Sequence, residues 1–176
     1  MRMTKLVKCA ALGIAALGIL ALAGCGQQAA KGEKTYKVGI VQLVEHSSLD
    51  DANRGFVDGL KERGYEEGKN LTIDRQNAQA DQSNLQNIVQ RFISDKVDLI
   101  CAIATPAVQS AANATKDIPI VGTAVTDYVS AKVVKSNDAP GGNVTGTSDL
   151  TPIAEQIDLL MKLYPNAKTI GTIYSS

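Results

Sequence analysis

The feature that most constrains this chain is a fourfold alternation of short, predominantly apolar runs with amphipathic stretches. "YKVGIVQLV" (36–44), "NLTIDRQN" (70–77), "VDLICAIAT" (97–105) and "IPIVGTAVT" (118–126) have the length and β-branched content of strands. Between them, 49–64 places Leu49, Phe56, Val57 and Leu60 on one helical face and ends at Gly64 as a C′ glycine. A second helix is expected from near Asp81, with Leu85, Ile88, Val89, Phe92 and Ile93 as its apolar stripe. Pro106 opens a third at its first position, running to about Thr115. Apolar strands alternating with helices require a parallel sheet covered on both faces. Right-handed crossovers make this a doubly wound α/β domain. Such sheets take ligands in the crevice at the carboxyl ends of their strands. The loops to watch are therefore 45–49, 76–81, 104–107 and 126–129.

Past Asp127 the pattern changes. Residues 130–149 are rich in Gly, Ser and Asn, and "PGGN" is a turn signal, so a connecting or hinge segment is expected there. Thr151 and Pro152 read as an N-cap and N1 pair opening a helix through Tyr164. "AKTIGTIYSS" (167–176) then starts another apolar strand, the expected entry into a second α/β lobe. A length of 176 residues allows one domain with a sizeable core and part of another.

The N-terminus carries a different message. Arg2, Lys5 and Lys8 precede an Ala/Leu/Gly/Ile run from Ala10 to Ala23, which ends in Leu22-Ala23-Gly24-Cys25. This three-part form is that of a signal peptide. The small residues before a cysteine resemble the bacterial lipobox, which implies cleavage after residue 24 and lipidation of Cys25. Acyl chains at Cys25 would then hold the protein at the membrane's extracytoplasmic face. Lys+Arg and Asp+Glu both number 18, and losing 1–24 removes three basic residues and no acidic one, leaving a slight negative excess. Nucleic acid is not the expected partner of such a chain. Cys9 leaves with the signal peptide, so Cys101, within "DLICAIAT", is a lone core thiol. One His and scattered Cys offer no metal cluster, and no cofactor is expected.

The wording of the sequence is more specific still. "VGIVQLVEHSSLDDANRGFVDGLKERGYEEGKN", "ATPAVQSAANATKDIPIVGTAVTD", "GGNVTGTSDLTP" and "AKTIGTIYSS" occur in that order. Together they resemble the ABC-transporter substrate-binding lipoproteins of the tryptophan/tyrosine-type family. The resemblance implies a type I periplasmic-binding-protein fold, in which two Rossmann-like lobes joined by crossover strands catch a ligand between them. It also implies an amino-acid ligand, aromatic and tryptophan-like, and ABC permease subunits as partners. The family commonly carries Asp-Pro where this chain has Asp127-Tyr128, and its second lobe is about as large as its first. The organisation expected is a signal peptide over 1–24, a tether over 25–35, a ligand-binding lobe over 36–147, and a hinge crossing with the start of a second lobe over 148–176.

An α-amino acid needs donors for its carboxylate and an acceptor for its ammonium group. Thr105 and Pro106 follow an apolar strand and open a helix, where free N–H groups and the dipole attract an anion. Thr105 is equally able to cap that helix. Thr126 and Asp127 end the fourth strand at the same rim. The Asp127 carboxylate could pair with the ammonium group or bond its own backbone in a turn. Glu45, His46 and Ser47 end the first strand, His46 as a candidate to stack on or bond an aromatic ligand. Ser48 reads better as an N-cap, with Asp50 and Asp51 in the first turn. Thr145, Ser148, Ser175 and Ser176 lie where two lobes should meet.

The row of acid, base and hydroxyl at 45–48 also raises hydrolysis. Adjacent residues rarely converge into a nucleophile–base–orienter chain, and no G-x-S-x-G elbow or phosphate-binding G-x-x-x-x-G-K-[ST] loop is present. The expected function is therefore binding without chemistry, in an ABC importer or, alternatively, in a ligand-sensing module of a signalling system.

Overall fold

The computed structural model describes residues 34–172. The expected signal peptide, Cys25, Ser175 and Ser176 lie outside the described residues. The elements are β1 (Tyr36–Gln42), α1 (Ser47–Glu62), β2 (Leu71–Asn77), α2 (Gln82–Ser94), β3 (Leu99–Ile103), α3 (Thr105–Ala114), β4 (Ile120–Val125), β5 (Val144–Ser148) and α4 (Ile153–Leu163). The strands form one sheet in the order β2-β1-β3-β4-β5, and every neighbouring pair is parallel. This is the doubly wound α/β arrangement that the alternation predicts.

The period of two along each strand assigns the two faces. Val38 and Ile40 of β1, with Cys101 and Ile103 of β3, pack beneath Leu49, Phe56, Val57 and Leu60 of α1. Val41, Ile100 and Ala102 face the other way, into a cluster with Leu85, Val89 and Phe92 of α2 and Ala107, Val108 and Ala111 of α3. Phe92 is fully buried and its ring lies over Gly39, where an added Cβ would meet the ring's Cδ2 at 2.6 Å. The glycine in "KVGIV" is thus the seat of the largest fully buried side chain.

Three expectations for the C-terminal third are corrected. Val144–Ser148, inside the stretch read as a turn-rich connection, is a fifth parallel strand registered against Ile120, Val121 and Gly122, with a bulge before Val125. Only Val144 of its residues is buried, so "VTGTS" lacks the apolar signal of a strand. Its place is set from outside. The Asn143 amide donates to the carbonyls of Thr115 (3.1 Å) and Ile118 (2.8 Å), and Tyr128 lies across the strand. Conversely, residues 167–172 are not in a strand, because no described strand lies beside them to supply hydrogen bonds. α4 starts at Ile153 with Pro152 at the N-cap and no side-chain cap, so Thr151 is not the cap. Its Ile153, Ile157, Leu159 and Leu163 are exposed. Among the described residues no helix is long and apolar enough to cross a membrane.

Candidate functional site

Parallel register brings the carboxyl ends of the strands to one edge. Gln42 is opposite both Asn77 and Ile103, Ile103 is opposite Thr123, and Val125 is opposite Ser148. Backbone bonds then extend the sheet into the loops. Ala78 N–H donates to Gln42 O (2.9 Å), Leu43 N–H to Ile103 O (3.3 Å), Ala104 N–H to Thr123 O (3.0 Å) and Asp149 N–H to Val125 O (3.1 Å). The loops after β1, β2, β3 and β5 are therefore fastened along one rim.

The first loop is organised by a residue the sequence reading passed over. Gln42, 4% exposed at the end of β1, donates to Val44 O (2.9 Å) and Asp50 Oδ1 (2.6 Å) and accepts from Asn53 Nδ2 (3.1 Å). A Gln inside "VGIVQLV" is the signal that could have found it, since a buried amide needs partners. The N-cap of α1 is His46, whose Nδ1 accepts from Ser48 N–H (3.3 Å), and not Ser48. Ser47 is the first helical residue, and Glu45, His46 and Ser47 are all exposed. Asp50 does lie in the first turn, and Asp51 pairs with Arg54 at 2.8 Å. His46 presents its ring at the rim with Nδ1 committed to the cap, so Glu45, His46 and Ser47 do not form a relay.

The third loop is tighter. The N-cap of α3 is Ala104, at φ 83° and ψ 153°, without a side-chain cap bond. That conformation is nearly confined to glycine. Its carbonyl accepts from Ala107 N–H (3.1 Å) and Val108 N–H (3.2 Å). Thr105 is the first helical residue, half-buried, with Pro106 following it. The Thr105 N–H and hydroxyl thus stand at the positive end of the helix dipole. Gln79, Ala80 and Ala124 also hold positive φ (55°, 58° and 55°) beside the rim. Strain of this kind is retained where the surrounding structure enforces it, commonly near ligand sites. Nothing in the identity of an alanine announces it.

At β4, the Thr126 carbonyl accepts from Ser148 Oγ (2.6 Å), tying the ends of β4 and β5 together. Asp127 Oδ1 accepts from Val129 N–H (2.8 Å) and Ser130 N–H (3.0 Å), forming a turn. These bonds, that of Ser130 foremost, hold its carboxyl below the usual carboxylate range. The Ser130 side chain also lies against the carboxylate. Tyr128 is buried and crosses the sheet to donate to Thr147 O (3.1 Å). Burial pushes its hydroxyl up to about 12. A Cβ on Gly122 would meet that hydroxyl at 2.6 Å, and one on Gly146 would collide with it and with the Gly122 carbonyl. Thr145 is opposite Val121 near the start of β5 and lines a separate cavity of about 170 Å³ with Tyr128, Val134 and Pro140. The structure therefore brings Glu45, His46, Ser47, Thr105, Pro106, Thr126 and Asp127 to one rim and leaves Thr145 behind it.

The sequence profile described as "ABC transporter substrate binding protein" matches residues 37–176. The chain belongs to that family. It is 49% identical over 170 residues to a "Tyrosine-binding protein" of Clostridioides difficile (strain R20291), a match covering 91% of this chain and 49% of the relative. A Streptococcus pneumonia ABC domain solved in complex with L-Trp is 44% identical, with a TM-score of 0.77 over 81% of this chain and 48% of that one. A ligand-free, open substrate-binding protein with adhesive properties from Clostridium difficile is 51% identical, with a TM-score of 0.71 over 76% and 45%. This chain spans about half the length of the relatives it matches. Its sheet is that of one lobe of the type I periplasmic-binding-protein fold. The family is one of substrate-binding proteins.

Proposed function

We propose that this substrate-binding protein is the extracytoplasmic receptor of an ABC importer, anchored through lipid on Cys25, and that its described lobe supplies one wall of a site for an aromatic amino acid. The observation that carries the proposal is the rim itself. A helix N-terminus at Thr105 suits a carboxylate, and the carboxylate of Asp127 suits an ammonium group, both at the same sheet edge. Glu45, His46, Ser47 and Thr126 complete that edge, and His46 has a ring face to offer an aromatic side chain. The relatives bearing the names of tyrosine and tryptophan support the aromatic class. The family supports the permease partner, and the lipobox-like sequence around Cys25 supports the lipid anchor.

Thermal-shift measurements on the receptor against the proteinogenic amino acids test this reading. A ligand that binds only the folded state raises the melting temperature with its concentration. L-tyrosine and L-tryptophan are expected to do so, and glutamate and lysine are not. A rise with leucine or with none of them removes the aromatic assignment.

A further inference from the structure

His46 is the chain's sole histidine, and it stands at the rim as the N-cap of α1, in extended conformation. Its carbonyl accepts from Leu49 N–H and Asp50 N–H, both at 2.9 Å. Ser48 N–H is left to the side chain, and Nδ1 accepts from it at 3.3 Å. Only a ring without a proton on Nδ1 can do this. A neutral imidazole has one donor and one acceptor nitrogen, whereas imidazolium has two donors and no acceptor. Ser, Thr, Asp and Asn, the residues favoured at an N-cap, keep an acceptor oxygen at any pH. This cap is therefore conditional on protonation where an ordinary one is not.

Imidazole is the side chain that changes charge between about pH 5 and 8. A proton on Nδ1 would set two N–H groups against each other across the cap and place a cation at the positive end of the α1 dipole. Both effects drive the ring off the cap. The surrounding charges then decide where it goes. Glu45 adjoins it in the loop, Asp50 lies in the first turn of α1, and Asp51 is paired with Arg54. Of the strands packed against α1, β1 has its ionisable residues, Tyr36 and Lys37, at the far end, and β4 has none. β3 has only Cys101, whose thiol burial pushes up to about 12. On β2, Arg75 shares a surface pocket with Asp50 and Arg54 but is bonded to Glu67, and Asp74 is bonded to Arg91. Glu45 and Asp50 are thus the carboxylates that attract an imidazolium. Asp50 already holds the Gln42 amide at 2.6 Å, so a cation drawn there competes with the bond that fastens β1 to α1.

We propose that His46 is a pH-operated latch on the rim: neutral, it caps α1 and holds residues 45–48 in place, and protonated, it leaves the cap and loosens that loop. The latch is closed at the alkaline end of the imidazole range and open at the acid end, so acid weakens retention of a ligand. That consequence rests on the reading of the rim as an amino-acid site. Asp127, held below the usual carboxylate range, keeps its charge over the same interval and does not produce the effect.

NMR of the ligand-free chain reads the latch itself. At about pH 8 the imidazole is expected as the Nε2–H tautomer with Ser48 N–H protected from exchange. At about pH 5 that protection, corrected for the intrinsic exchange rate, is expected to fall about fivefold, the size of a typical capping contribution. His46→Asn keeps a capping acceptor and removes the titration, so its Ser48 protection is expected to be the same at both ends of the range. An Nδ1–H tautomer at the alkaline end, or wild-type protection that does not change with pH, overturns the proposal. A titration with L-tryptophan reads the consequence. Wild-type affinity is expected to fall about fivefold between the same two conditions, and that of His46→Asn to stay level, whatever its absolute value. An equal fall in both proteins, or none in the wild type, overturns the latch as a control on the ligand. Binding in neither condition, with a cap that still responds to pH, removes the amino-acid reading and upholds the latch in the loop.

Discussion

At the scale of single residues, Tyr128 shows how one substitution reorganises a neighbourhood. Its ring passes over two glycines, and its hydroxyl closes on Thr147 O at 3.1 Å. Tyr128→Phe removes that bond and is expected to cost about 1 kcal/mol. Gly146→Ala is expected to cost more, about 3 kcal/mol, since the new methyl group has backbone on one side and the phenol on the other. Denaturant midpoints at unchanged slope would measure both, and equal small losses would contradict the close approach. The same burial makes the lobe alkali-sensitive. Tyr128 rises from 10.0 to about 12 and Cys101 from 9.0 to about 12, so the folded chain keeps protons that the unfolded chain has released. Their contribution to stability is whole below pH 9 and is lost as pH climbs toward 12. Tyr128→Phe should flatten the upper part of that decline in a pH series of unfolding curves. A decline unchanged in the variant would show that other groups drive it.

At the scale of elements, the legible and illegible parts of the chain differ for physical reasons. β1 and β3 are buried on both faces, so their sequences carry the continuous apolar signal that a parallel sheet demands. β5 is an edge strand with one buried residue, held by Asn143, Tyr128 and a glycine contact, none of which is periodic. Its fold is written in its partners rather than in itself. The strand expected over 167–176 fails over its described part for the opposite reason, since an apolar run without a neighbouring strand has nowhere to place its backbone bonds. Helix starts fall within two residues of the expected ones, but the N-cap differs at α1, where His46 is an unusual cap, and at α4, where Pro152 stands in the place expected of Thr151. The candidate site was legible as a rim, since loop position follows from topology. The Gln42 network and the strained alanines were not, because they arise only once the strands are side by side. Gln42→Ala is expected to destabilise the lobe by about 2 kcal/mol, leaving Asp50 and Asn53 without their buried partner. It should also broaden the backbone signals of residues 44–47. Sharp, unshifted signals there would remove Gln42 from its organising role.

At the scale of the whole molecule, the chain presents one lobe with a fastened rim and a helix, α4, whose apolar side chains face solvent. A single wall can supply directional groups but cannot exclude water from both sides of a ligand, so affinity from this lobe alone is expected to be weak. The central claim concerns where the ligand sits, and location survives weak binding. Residue-resolved titration of the chain with L-tryptophan therefore tests it most directly. Saturable shifts are expected at His46, Thr105, Ala107 and Asp127, with Asp127→Asn reducing affinity about tenfold through the lost charge pair. Shifts confined to α4, or none at the rim at millimolar ligand, would place the ligand elsewhere.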